Sequence, residues 1–152
     1  MSTEANEALV RQYVQEVEIA KNLAALDELT SDDFVDHSVP PGLPPGREGT
    51  RQVFTMYFAA FPDLQGTIDD VIAARDKVVI RGTIRATHQG EFMGIGPTDK
   101  QVTFTGIHIF RIAGGKIAEH WLEVDTLGLL QQLGAIPTSG QARPQPLAAA
   151  LA

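Results

Sequence analysis

Two runs of alternating residues meet at a pair of glycines in VTFTGIHIFRIAGGKIAEHWLEV, positions 102–124, and no other stretch restricts the fold so strongly. From Val102 to Ile112 the hydrophobic period is two. Val102, Phe104, Gly106, His108, Phe110 and Ile112 share one face of a strand, and Thr103, Thr105, Ile107, Ile109 and Arg111 take the other. Ala113-Gly114-Gly115-Lys116 offers the positive φ angles of a tight hairpin turn, and the return strand runs from Lys116 to Val124. A Leu-rich helical turn, Thr126 to Leu133, follows and stops at Gly134, a residue type suited to ending a helix. His108 among aromatic and aliphatic neighbours, and the acids of the return strand, are costly in a hairpin that is only structural.

The segments before this hairpin read as helices and then as strands. Ser2 or Thr3 can cap a first helix, with Glu4 and Glu7 near its positive end. Leu9, Val10, Tyr13, Val14, Val17, Ala20 and Ala24 recur at helical spacing, which predicts an amphipathic helix to about Asn22. A short helix from about Leu23 to Leu29 leads into SDDFVDH, positions 31–37. Ser38 to Gly49, rich in proline and glycine, reads as a rim loop. Thr50 to Phe61 reads as a helix burying Val53, Phe54, Tyr57, Phe58 and Phe61, and Pro62 ends it. Thr67 to Ala74 and Val78 to His88 are period-two strands joined by a turn at Arg75-Asp76-Lys77, and a glycine-rich connection, positions 90–98, leads to the hairpin. Helices followed by a run of antiparallel strands argue for an α+β fold, with the helices packed on one face of a curved sheet. Residues 1–134 are expected to form one domain, and residues 135–152, rich in Pro and Ala, a mobile or loosely covering tail.

Composition removes several classes of function. A net charge of −7 disfavours nucleic acid and anionic membrane surfaces as partners. There is no cysteine, hence no disulfide and no thiolate chemistry, which suits a cytoplasmic location. MSTEANEALV lacks a basic region followed by an apolar run, so no secretory signal peptide is expected. No apolar run reaches the length of a membrane span.

His37, His88 and His108 are the candidate functional histidines. A single such residue is usually a core or rim histidine satisfied by one hydrogen bond, but His88 and His108 share the inward parity of successive strands. No pair has HxH or HExxH spacing, and no metal is expected. Asp125 has two readings. As the cap of the last helix it accepts backbone N–H groups, which lowers its pKa and makes it a poor base. At a cavity mouth beside a histidine it is a general base. Glu119 and Trp121 share its parity, whereas His120, Leu122 and Val124 have the other, and a bulge would exchange the two sets.

The runs GTIRATHQGEFMGIGPTDKQV, GIHIFRIAGGKIAEHW and DTLGLLQQLG together resemble the SnoaL-like family of polyketide and ester cyclases, within the NTF2-like superfamily. The resemblance covers roughly Leu9 to Gly134. It implies an α+β cone with a deep pocket, a dimer formed through sheet faces, and chemistry without a cofactor. The founding cyclases close a ring by intramolecular aldol condensation, using an aspartate as acid/base and a nearby histidine. By the resemblance the histidine falls on His108, the aspartate falls on Leu122, and Asp125 matches a second acid of the motif. The expected protein is a homodimeric, cofactor-independent enzyme that cyclises or isomerises an apolar, carbonyl-bearing, polyketide-like molecule. Asp125 is the expected base and His108 the donor, with His37 or His88 assisting. Phe54, Tyr57, Phe58, Phe92, Phe104, Phe110, Glu119, Trp121 and Leu122 are the expected substrate contacts. The alternatives are a non-catalytic binding module using the same pocket, and an enzyme opening epoxides. A carboxylate near a histidine inside the pocket favours an enzyme, and a purely apolar lining favours a binder.

Overall fold

In the computed structural model, which describes residues 2–138, the first helix, α1 (Thr3–Tyr13), starts at Ser2, whose hydroxyl accepts the Ala5 N–H. It then widens into a π-helical turn, Val14–Ile19. The regular α-helix expected to about Asn22 is therefore corrected. The widened turn changes which side chains share a face, a device common at functional sites, and places Glu18 on the same cavity wall as Val14. After α2 (Ala25–Leu29) comes a strand, β1 (Thr30–Asp36), then α3 (Arg47–Ala60). The antiparallel strands follow as β2 (Gln65–Ala74), β3 (Lys77–Thr87), β4 (Gln101–Ala113) and β5 (Lys116–Val124), and α4 (Thr126–Gln132) closes the order.

These strands form one sheet in the order β1-β5-β4-β3-β2. The run from β2 to β5 is antiparallel as the alternation requires, but β1 pairs parallel to β5, with Asp36 opposite His120. This is a correction to the all-antiparallel expectation. SDDFVDH is too acidic to read as a strand by β-propensity, and its pairing comes from a segment some eighty residues later in the chain. Gly114 and Gly115 both take positive φ in the β4–β5 turn (56° and 77°), and Gly134 does so after α4 (80°).

A β-bulge on β5 decides which face meets the helices. Arg111 pairs with Glu119 while the next residue, Ile112, pairs with Ile117, so Ala118 is the extra residue. Beyond it His120, Leu122 and Val124 line the concave side, and Glu119, Trp121 and Glu123 face away. On the concave side Val10, Tyr13, Val17 and Leu26 pack against Val78, Ile80, Phe110 and Ile117. A second cluster at the other end joins Phe61, Phe92, Phe104, Leu129 and Leu133. Between the two, Gly82 on β3 pairs with Gly106 on β4. Two adjacent inward positions without side chains leave open space above the sheet.

Candidate active site

That space is a cavity of about 110 Å³, walled by Val14, Glu18 and Ile19 from the first helical segment, by Phe54, Tyr57 and Phe58 from α3, and by the inward residues of the sheet. Its lining is largely apolar. Its carboxyl and imidazole groups, Glu18, Asp36, His108 and His120, meet one another in its wall.

Asp36 is the last residue of β1 and is 5% exposed. It accepts hydrogen bonds from Ser38 N (2.9 Å) and Ser38 Oγ (2.5 Å) at Oδ1, and from the buried Thr50 Oγ1 (2.9 Å) at Oδ2. Burial acts to raise its pKa, but the nearby His120 and the two Ser38 bonds outweigh burial and hold it at about 2. His120 is 2% exposed and places Nδ1 3.2 Å from Asp36 Oδ1. The distance is that of an ion pair, although the ring N–H is not aimed well enough to count as a hydrogen bond. The other ring nitrogen of His120, Nε2, lies 2.9 Å from His108 Nδ1. Phe110 stacks on both imidazoles, with centroids 5.7 Å from His108 and 4.7 Å from His120. Burial, and then the neighbouring His120, lower the His108 pKa to about 3, so His108 is neutral at physiological pH.

Glu18 stands on the facing wall, with Oε1 3.8 Å from His108 Nδ1. Its side chain is only 12% exposed, and Oε1 has no hydrogen-bond partner among the described residues. Burial, and then the Asp36 charge, raise its pKa to about 8. Two carboxyl groups in one site are thus pushed apart, one ionised and one protonated at neutral pH, which is a pattern typical of acid/base chemistry. The Tyr13 hydroxyl beneath them is fully buried and is pushed up by burial and by the same two carboxyl groups.

Of the residues singled out from the sequence, His108, Phe54, Tyr57, Phe58, Phe104 and Leu122 line the cavity. The others lie elsewhere. Asp125 is exposed and caps α4, its Oδ1 accepting the Gly128 N–H at 2.9 Å, and the fold does not bring it to His108. It follows Val124 at the far end of β5, so the cap reading of Asp125 describes its place and the base reading is corrected. His37 lies on the outer face, stacked on Trp121 at 4.7 Å, with Nε2 3.1 Å from Glu119 Oε1. Glu119 also accepts from Arg111 Nε, and these two partners keep its carboxylate below the usual range. The bulge at Ala118 turned Glu119 and Trp121 outward. His88 is wholly buried in the second cluster, Phe92 packs there on Phe61, and Phe110 lies beneath the two imidazoles rather than on the cavity surface. Among the described residues, no group of three or more His, Cys, Asp or Glu side chains is arranged to hold a metal ion.

Sequence reasoning missed Glu18 and Asp36; for His120 the alternation leaves the facing open, and the bulge decides it. Glu18 left a legible trace, since a carboxyl four residues after Val14 breaks an otherwise apolar stripe. Asp36 left a weaker one, two residues after the buried Phe34 and so of the same strand parity.

Comparison with known proteins agrees with this architecture. The profile of the SnoaL-like polyketide cyclases matches residues 8–133. AclR from Streptomyces galilaeus, a proposed hydroxylase, is 32% identical and superposes with a TM-score of 0.80 over 90% of this chain and 100% of its own. IdmH from Streptomyces antibioticus, a proposed polyketide cyclase, is 34% identical with a TM-score of 0.74, over 85% of this chain and 98% of its own. Nogalonic acid methyl ester cyclase of Streptomyces nogalater is 40% identical over 47 residues, a match spanning 31% of this chain and about a third (35%) of that enzyme's length. With a mixed α+β cone, a cavity under the helices and a family profile matched over most of its length, the chain belongs to the SnoaL-like polyketide cyclase family.

Proposed function

We propose that the protein cyclises or isomerises an apolar, carbonyl-bearing, polyketide-like small molecule by acid/base catalysis, with no cofactor taking part. The observation that carries this reading is the Glu18 carboxyl beside His108, 3.8 Å apart in a largely apolar cavity. Removing a proton alpha to a carbonyl needs a base near the carbon and a donor for the developing enolate oxygen. His108, neutral and facing the cavity, is the base. Glu18, protonated at neutral pH, hydrogen-bonds the enolate oxygen and keeps its proton; the proton taken by the histidine goes to the new alkoxide after ring closure, or back to a carbon in double-bond migration. The phenyl rings of Phe54, Phe58 and Phe104 exclude water, which strengthens both interactions.

The outer face of the sheet completes the proposal. Ile72, Val79, Ile109 and Trp121 are successive partners across β2, β3, β4 and β5 and form one apolar row. Ile72 is 63% exposed and the nearby Ile107 50%. A second copy of the chain covers this row in a homodimer burying about 1,200–2,000 Å², and sedimentation of a monomer at micromolar concentration refutes that part.

Native mass spectrometry of protein purified from its own source identifies the ligand, and turnover is then followed on that compound. The expected result is a carbonyl compound converted to a cyclised or isomerised product by the wild type and about 10²–10⁴ times more slowly by Glu18→Gln. A ligand that the wild type binds but leaves unchanged makes the protein a binding module and refutes the enzymatic reading.

A further inference from the structure

The acid/base reading leaves one difficulty, which the groups behind His108 resolve. A buried imidazole stacked on Phe110 is a poor final resting place for a proton. The Asp36 carboxylate accepts two hydrogen bonds from Ser38 at Oδ1 and one from Thr50 at Oδ2. Also facing Oδ1 is Nδ1 of His120, at 3.2 Å. A bare nitrogen lone pair against a carboxylate is repulsive, so Nδ1 of His120 carries the proton. The proton transfer below requires a neutral His120 at the start, and in that form its other nitrogen, Nε2, is an acceptor. His108 Nδ1, 2.9 Å away, must donate to it, which leaves His108 Nε2 with its lone pair free. The hydrogen bond that the His108 side chain makes to a described residue is at Nδ1, and the side chain lines the cavity.

From this chain of contacts we infer that Asp36 and His120 are positioning residues that fix the His108 tautomer and take over the proton His108 removes from substrate. The inference rests on the acid/base reading above. In the step, the substrate C–H bond breaks and its electron pair becomes the enolate. The proton bonds to His108 Nε2, while the proton on His108 Nδ1 crosses to His120 Nε2. His108 is neutral again, and the positive charge rests on His120 beside the Asp36 carboxylate, which stays ionised throughout. Glu18 assists by remaining protonated. As a carboxylate 3.8 Å from His108 Nδ1 it would compete with His120 for the Nδ1 proton.

Nitrogen-15 NMR of the imidazoles tests the tautomer without any substrate. In the wild type at neutral pH, His108 is expected to show a pyrrole-type Nδ1 coupled to His120 and a pyridine-type Nε2. A pyrrole-type Nε2 on His108 overturns the inference, whatever the enzyme's activity. Asp36→Asn is expected to abolish this fixed pattern and lower kcat about 10²–10⁴-fold, as loss of a tautomer-holding aspartate does elsewhere. His120→Gln separates the two roles, because a glutamine carbonyl can still accept from His108 Nδ1 but cannot take the proton. It is expected to keep the His108 pattern and lower kcat with KM little changed. Full kcat in a folded His120→Gln protein overturns the proton transfer, while loss of turnover in Glu18→Gln alone, with both NMR patterns as expected, leaves it standing. A wild type with the expected tautomer and no turnover of its ligand refutes the acid/base reading, and the inferred proton transfer with it.

Discussion

His88, just past the end of β3, and His108, on the neighbouring β4, share the inward parity and each packs on a phenyl ring, yet they meet different surroundings. His88 is 0% exposed. Its Nδ1 accepts the Thr98 N–H at 3.2 Å and lies 3.0 Å from Thr98 Oγ1, while its backbone pairs with Lys100 and Asp99. It ties the 88–100 connection to the end of β3 and packs on Phe61. His108 lies in mid-strand two residues after Gly106, where the paired glycines open the sheet, and its neighbours are a second histidine and a carboxyl. The difference teaches that inward parity selects residues for burial, but what packs above the strand determines whether a buried histidine is sealed or presented. Aromatic side chains and backbone close over His88, and the π-helical turn brings a protonatable group to His108.

The sharpest way to break this comparison is to exchange function for stability at the two sites. His108→Gln is expected to lower turnover about 10²–10⁴-fold with a modest change in melting temperature. His88→Leu is expected to leave turnover within a few-fold and to cost about 0.5–1.5 kcal/mol, because the part-buried Thr98 N–H loses its acceptor. Denaturant melts and steady-state rates on the same samples decide it, and a large loss of turnover in a well-folded His88→Leu protein erases the distinction.

The pH dependence sharpens the comparison further. Glu18 titrates near 8 in the folded protein and lower when unfolded, so its contribution to stability is complete at low pH and is lost as pH rises through about 8. His108 runs the other way. Its folded value near 3 lies below its unfolded value, so the unfolded chain binds more protons and stability falls as pH drops from about 6.5 towards 3. The two slopes oppose each other at mildly acidic pH, and above pH 7 the Glu18 slope remains, at most about 1.4 kcal/mol per pH unit. Melting temperature is expected to decline between pH 7 and 8.5 in the wild type and to stay flat there in Glu18→Gln. Turnover should fall over the same range, as the acid form of Glu18 is lost. An unchanged decline in the variant would place the titrating group elsewhere.

The smallest effect is expected at Asp125. Asparagine is also a good N-cap, so Asp125→Asn should change stability by less than about 1 kcal/mol and leave turnover intact. A fall in turnover of a hundredfold or more would return Asp125 to the chemistry, although its side chain is not part of the cavity lining.

Much of the fold was legible from local pattern. The β4–β5 hairpin, its Gly-Gly turn, the helix ending at Gly134 and the inward parity of His108 all follow from period-two alternation and glycine placement, which act over a few residues. The aromatic face of α3 was legible for the same reason, and it supplies Phe54, Tyr57 and Phe58 to the cavity. The expected tail was legible only as composition, and from residue 139 on it lies outside the described residues.

What lay beyond the sequence was each point at which distant segments meet. The bulge at Ala118 reverses the parity of the last strand, so His120 and Leu122 rather than Glu119 and Trp121 face the cavity. Parallel pairing of β1 with β5 brings Asp36 to His120, eighty-four positions apart in the chain. The π-helical turn puts Glu18 opposite His108. Periodicity reports which side of its own element a residue occupies, and these contacts depend on register and packing between elements. The sequence by itself determined most of the elements, the hairpin and the inward place of His108. Only the tertiary structure decided which carboxyl group meets that histidine, because burial and mutual charge, which separate Glu18 from Asp36 in acidity, exist only once the chain has closed around them.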